Sequence, residues 1–333
     1  MLTPKENFLE LLHKGNPDHL VNQYEPFEFV LFEDPVLLSC EFTRIPGQDV
    51  KDGWGTLIRW KAGEHAGMPW ITDETKVCPD VTQWRKYVKA PDLTVDFDWS
   101  KAKEAVSKID RKEKLVAGVM VTGIFERSHF LMGFEDTLMN FVAEPEAMHE
   151  LLDYILDYKL AYAKLLIDNI HPDVMLLHDD WGAKTRMFMS PATWREFIKP
   201  RVAKLHKYVH DRGVLTLFHA DSYLSNIIED MSEIDTDVWQ GVLPENDIPD
   251  LQKRLDKINS HMLLMGGIDG SVIDFENWTE EAVRKETQRA CDEYVPGGRY
   301  IPCITYGLAE SMFPGVYEAI SAEIEKYSPK FFK

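Results

Sequence analysis

The chain has 333 residues, 44% of them hydrophobic and 28% charged, enough apolar material for a folded globular core. A formal charge of −19 argues against a nucleic-acid partner, which would demand clustered Lys and Arg, and no apolar run approaches the roughly 18 residues of a membrane span. The four cysteines (Cys40, Cys78, Cys291 and Cys303) form no disulfide framework and no CxxC pair, and the first seven residues lack the basic-then-apolar form of a signal peptide, so reduced thiols and a cytoplasmic location are expected.

In chain order, a first extended run is expected near residues 21–29. Residues 34–99 break the later pattern: they hold five of the nine tryptophans, with turn signals at Asp52-Gly53-Trp54-Gly55 and Gly67-Met68-Pro69-Trp70. This stretch reads as an aromatic-rich insertion able to cover a barrel mouth. Beyond it, apolar runs at 115–122, 173–177, 213–218, 237–242, 261–265 and 300–305 alternate with helical patterns. Helices are expected from about Asp136; from Pro145, with Met148, Leu151, Leu152, Ile155 and Leu156 on one face; and from Ser190-Pro191 to about Asp211, kinked at Pro200. Others are expected near Asn226, from about Asp250, over 280–290 and over 310–327. Strand–helix alternation without a long polar linker predicts a mostly parallel sheet. Neither GxGxxG nor GxxxxGK[ST] is present, so dinucleotide and P-loop fingerprints are missing. Seven strands and one unplaced predict an α/β (β/α)8 TIM-type barrel, residues 1–333 forming a single domain.

Reactive groups in such barrels gather at the C-terminal ends of strands. Here those ends carry Tyr24 and Glu25, Glu126, His178 with Asp179 and Asp180, His219 with Asp221, Gln240, Asp269 and Cys303. His219 and Asp221 share a strand parity and therefore point the same way. Imidazole, carboxylate and thiolate from His219, Asp221 and Cys303 suit Zn²⁺ and leave a fourth position open. Acid–base work without metal, by His219 and one of Asp179, Asp180 or Asp221, is the competing reading. Plainer roles exist for each: Asp179 or Asp180 as a turn cap, Glu126 beside Arg127 as a solvated ion pair, Cys303 as a small core residue.

The blocks Thr3-Pro4-Lys5-Glu6-Asn7-Phe8, His178-Asp179-Asp180-Trp181-Gly182, Ser190-Pro191-Ala192-Thr193-Trp194-Arg195-Glu196-Phe197 and Gly266-Gly267-Ile268-Asp269 resemble the uroporphyrinogen decarboxylase superfamily over nearly the whole chain. The resemblance implies a (β/α)8 barrel and either tetrapyrrole decarboxylation or zinc-dependent methyl transfer involving a corrinoid. Porphyrinogen decarboxylases carry an Arg-rich N-terminal motif, whereas residues 1–43 contain no arginine and include Glu25 and Glu28. In the methyltransferase branch a His-x-Cys pair stands where this chain has His219-Ala220-Asp221, and a further Cys stands at Cys303. Carboxylate in place of thiolate makes the ion a harder Lewis acid, suited to an ether oxygen. The resemblance therefore implies an O-demethylase-type methyltransferase that moves a methyl group from a small-molecule donor, an aryl methyl ether, to the Co(I) of a corrinoid (cobalamin) held by a partner protein; the DxHxxG corrinoid-binding pattern is absent here. It further implies zinc on His219, Cys303 and Asp221, with Asp221 a third ligand or an orienter of His219. Asp179, Asp180, Glu126 and His178 would manage protons. Tyr24, Phe125, Trp54 and Gln240 would line the substrate site, with Trp70 and Phe130 as further aromatic wall. The alternatives are a metal-free decarboxylase or lyase acting on a smaller acid, and a non-catalytic corrinoid- or tetrapyrrole-binding chaperone.

Overall fold

A computed structural model describes residues 1–42, 44–61, 67–305 and 312–332. Its centre is a curled sheet of seven parallel strands: β1 (Phe27–Val30), β5 (Leu115–Met120), β6 (Val174–His178), β7 (Leu215–His219), β8 (Val238–Val242), β9 (Leu263–Ile268) and β10 (Tyr300–Ile304), adjacent in that order. Every pairing in this sheet is parallel, from Phe27 against Leu115 to Cys303 against Gly267. All residues of β5, β8, β9 and β10 are buried. That is why these strands read as continuous apolar runs: a parallel sheet is covered on both faces.

The segment before β1 reaches the strand at the other edge of the sheet. Gln23 donates its backbone N–H to Pro302 O (3.2 Å) and accepts from Ile304 N (3.4 Å), so the segment before β1 meets β10. Gln23 has φ +49°, and Asn22 to Tyr24 turn, with Glu25 N on Asn22 O and Phe27 N on Tyr24 O. The first strand therefore begins at Phe27 rather than near Val21. Among the described residues the curled sheet has seven strands, and the expected eighth is not among them.

The helices follow their start signals. Ser190 Oγ accepts from Thr193 N (3.0 Å) and opens Pro191–Phe197; the chain then breaks before Pro200, and a second helix runs Lys199–His210. Pro145–Ile170 buries the expected stripe together with Tyr162, Leu166 and Ile170. The helical region expected from Asp136 begins earlier, as Ile124–Met132 and Phe134–Ala143. The last long helix is Val316–Tyr327; Glu310 lies outside the described residues. No described helix is long and apolar enough to cross a membrane.

Between β1 and β5, β2 (Asp49–Lys51), β3 (Leu57–Arg59) and β4 (Met68–Pro69) form a small antiparallel sheet. Buried ion pairs tie this stretch to the helices behind the parallel sheet. Arg127 reaches Glu41 and Asp52 at 2.6 Å each, and Lys159 reaches Glu41 at 3.2 Å. Trp54 lies in the same cluster, its indole N–H on Glu41 (3.3 Å) and its ring 4.8 Å from that of Tyr158.

Candidate active site

The strand register places His178, the last residue of β6, beside His219, the last residue of β7, and His219 beside Gln240 of β8. The two imidazole rings are 4.7 Å apart. Among the described residues, His178, Asp180 and His219 are the group whose potential ligand atoms all lie within 4.8 Å of one another. Asp180 Oδ2 is 3.4 Å from His178 Nε2, and its Oδ1 accepts from Asp221 N (3.2 Å) and Ser222 Oγ (3.4 Å). Glu126 Oε2 stands 3.8 Å from His178 Nδ1.

Asp179 faces the other way. Its two oxygens accept from Phe125 N (3.0 Å) and Glu126 N (2.9 Å), capping the helix after β5. Gly123 makes this approach possible, since a Cβ there would sit 2.2 Å from the Asp179 side chain. Of the two neighbouring aspartates, Asp180 joins the histidines and Asp179 holds Glu126 in place.

The charges in this pocket are lopsided. Burial, together with the Asp180 and Asp179 charges, pushes Glu126 up to about 7, although His178 pulls the other way. Burial and the charge of Asp180 raise Asp221 to about 7. Burial disfavours the His178 cation, but Glu126 and Asp180 outweigh it and bring the ring to about 10. His219 moves in the opposite direction, to about 4, through burial and the nearby His178 charge. One imidazolium thus sits beside one neutral imidazole, with its lone pair free for a proton or a metal.

Gln240 determines which nitrogen carries that lone pair. Its Nε2 donates to Ile304 O (3.5 Å), so its Oε1 faces His219 Nδ1, with which it is hydrogen-bonded. A carbonyl oxygen only accepts, so Nδ1 carries the proton and Nε2 is left open. Cys303 lies on the far side of Gln240, fully buried, its thiol in contact with the Gln240 and Tyr24 side chains and pushed up by burial. Asp221 is linked to the histidine group through Asp180, and Cys303 through Gln240.

The expected aromatic wall is distributed differently. Phe125 is fully buried among His129, Phe134, Phe141 and Phe188, and Trp54 is buried in the ionic cluster. Trp70 is partly exposed, with Arg59 stacked at 4.3 Å; Phe130 stands against His129, ring centroids 5.0 Å apart. Asp269 accepts from Ser271 N (3.0 Å), a turn role. Two site neighbours had no role in the sequence reading. His129, one turn after Glu126, is held at about 4 by burial, and Ser222 bonds Asp180. The i, i+3 spacing from Glu126 was the available signal for His129.

Over 98% of its length the chain superposes on 99% of a methyltransferase from Methanosarcina mazei, with a TM-score of 0.69 and 16% identity, a likeness of fold. An endo-β-1,4-mannanase double mutant from Cellulomonas fimi (TM-score 0.41, 12% identity, 70% of this chain and 58% of that one) and a xylose isomerase-like TIM barrel from Mycobacterium smegmatis (TM-score 0.35, 11% identity, 71% and 81%) are too distant to carry an argument. No curated protein matches the chain at a significant level. The family model for uroporphyrinogen decarboxylase (URO-D) matches residues 59–327, which span β3 to the last long helix and include every strand end of the site except that before β1. The chain belongs to the uroporphyrinogen decarboxylase family.

Proposed function

We propose that the protein is a zinc-dependent methyltransferase that takes the methyl group of an aryl methyl ether and passes it to the Co(I) corrinoid of a partner protein. The convergence of His178, Asp180 and His219 at the ends of β6 and β7 carries this reading. The family and the fold shared with a methyltransferase support it.

The donors suit a divalent cation. Imidazole and carboxylate are both zinc ligands, His219 presents a neutral ring, and the surrounding carboxylates outnumber the single imidazolium. Two ligand sets share His219. One adds His178 and Asp180; the other, expected from the sequence, adds Asp221 and Cys303. When bound, zinc would supply Lewis acidity to the ether oxygen. In the reaction the C–O bond breaks, the methyl carbon takes the electron pair of Co(I), and the aryl oxide takes up a proton. Glu126, held near 7 and placed beside His178, is the group suited to deliver that proton. The stretch 34–99, tied to Arg127 directly after Glu126, is read as the cover over this mouth.

A test is elemental analysis of protein purified without chelator, paired with methyl transfer from methoxyarenes to cob(I)alamin. About one zinc per chain is expected, lost in His219→Ala. Asp180→Asn and Cys303→Ala separate the two ligand sets by which of them also loses metal. Absence of zinc together with turnover that survives chelators would sink the proposal. It would favour the metal-free decarboxylase or lyase, for which the Glu126–His178–Asp180 array already provides acid–base groups.

A further inference from the structure

A small cavity lies where β5, β6 and β7 meet the helices Pro145–Ile170 and Lys199–His210, with about 20 Å³ open to the centre of a water molecule. Met120, Ile124, Leu177, Val202, Leu205 and Phe218 make its wall apolar, and Lys159, Asp179 and His206 are the buried polar side chains on it. Its remaining lining residues, Gly123 and His178, are half-buried.

Each of the three polar groups has bonding capacity left over. His206 is fully buried, and burial with the nearby His210 charge pushes its ring down to about 4, so it is neutral. Its Nδ1 lies 3.2 Å from Ile234 O; a carbonyl only accepts, so Nδ1 carries the proton and Nε2 is an acceptor. Among the described residues that Nε2 has no partner, and a buried acceptor left unpaired costs the fold its lost hydration. The Lys159 ammonium has three N–H groups and two acceptors, Glu41 Oε1 (3.2 Å) and Val121 O (3.1 Å). Each Asp179 oxygen accepts one backbone N–H and has a second lone pair. The charges of Lys159 and Asp179 act on each other, which places both heads on the same side of the cavity.

One water molecule matches this set. It needs roughly 10–15 Å³ and commonly makes about three hydrogen bonds. Here it would donate to His206 Nε2 and to Asp179, and accept the third N–H of Lys159. The apolar wall offers it nothing else. A neutral His206 accepts and cannot donate to it, so the imidazole dictates which way the water's protons point.

We propose that the cavity is a buried water site and that His206 is a positioning residue, holding Asp179 through that water in the orientation that caps the helix carrying Glu126. The consequence for catalysis rests on the methyltransferase reading above; the water site does not. Wild-type protein decides the first half: a high-resolution crystal structure should show an ordered water within hydrogen-bond distance of His206 Nε2, Asp179 and Lys159 Nζ. A dry cavity overturns the proposal. The second half uses amide hydrogen exchange in His206→Leu, which removes the acceptor, and His206→Gln, which keeps an oxygen near the place of Nε2. The Phe125 and Glu126 amides, both bound to Asp179, should exchange about 10-fold faster in the leucine variant and recover in the glutamine variant. The Ala282 amide, capped by Thr279 on a distant helix, should exchange at the same rate in all three proteins. Unchanged exchange at Phe125 and Glu126, or equal acceleration at Ala282, overturns the positioning role. With 1,2-dimethoxybenzene and cob(I)alamin, kcat should fall about 10-fold in His206→Leu at unchanged KM and recover in His206→Gln. The expected exchange pattern without methyl transfer in wild type supports the water site and counts against the methyltransferase reading.

Discussion

Among single residues, Gln240 has the most consequence for its size. It is fully buried, and its amide has one orientation compatible with the Ile304 carbonyl. That orientation fixes the His219 tautomer, so Gln240 is a positioning residue for whatever His219 holds. Gln240→Leu should lower zinc affinity about 10- to 100-fold in chelator competition, with Gln240→Glu retaining more because it keeps an acceptor at Nδ1. The nitrogen-15 spectrum of His219 in metal-free protein gives an independent readout: the Nδ1–H form in wild type, a mixture of tautomers in Gln240→Leu. An unchanged tautomer in the leucine variant would refute the assignment. The strand parity of His219 and the run leading to it were plain in the sequence. The partner that sets its protonation was not, since Gln240 lies 21 residues on and meets it only because β7 and β8 are adjacent.

The helix Ile124–Met132 shows how an element differs from the sum of its residues. Glu126 and Arg127 are neighbours in the chain and could be taken for a solvated pair, yet consecutive helical residues do not face each other. Glu126 turns to His178, whereas Arg127 turns into the cluster with Glu41, Asp52 and Thr56. Both Arg127 and its two acids are fully buried. Removing one member of such a cluster leaves uncompensated charge out of water, so Arg127→Met should cost about 3–5 kcal/mol in urea unfolding. A loss under about 1 kcal/mol would mean that water reaches the cluster. Because Glu41 and Asp52 belong to the 34–99 stretch, the same substitution should also make that stretch more accessible to protease. Glu41 had no signal in the sequence and Asp52 only that of a turn, because no local pattern announces a contact 86 or 75 residues away.

Across the whole molecule, the two ends of the parallel strands do different work. The C-terminal ends hold the candidate chemistry. The N-terminal ends hold a second polar cluster, in which Asp237 accepts from His210 (2.7 Å), His261 (3.0 Å) and Thr216 N (2.7 Å) and links the starts of β7, β8 and β9. Burial opposes the Asp237 charge, but the bonds to His210 and His261 win and hold its carboxyl well below the usual range. Hydrogen bonds to Asp237 raise both histidines above theirs, burial notwithstanding. A depressed carboxylate contributes stability above its unfolded value near 3.9 and loses it as pH falls through its folded value. A raised histidine contributes fully below about 6.5 and loses its contribution as pH rises through its folded value. All three therefore act together between about pH 4 and 6.5. The gap in melting temperature between wild type and Asp237→Asn should be widest near pH 5.5 and narrower at pH 9, and a gap that widens toward pH 9 would contradict this account.

Length, the alternation of buried runs with amphipathic helices, and the capping signals at Ser190-Pro191 and Pro145 specified an α/β chain with a parallel sheet. These are local properties, set by burial on both faces of a strand and on one face of a helix. The same periodicity placed polar groups at strand ends, so His178, Asp180 and His219 were visible as candidates. Which of them meet depended on strand neighbours and on rotation about single bonds. β6 beside β7 joins the two histidines, the cap on the helix after β5 takes Asp179 away from them, and Gln240 stands between His219 and Cys303. Hydrophobic pattern repeats within a few residues and can be read along the chain. Polar contacts join residues tens of positions apart, and only the folded backbone brings them within the roughly 3 Å at which their chemistry is decided.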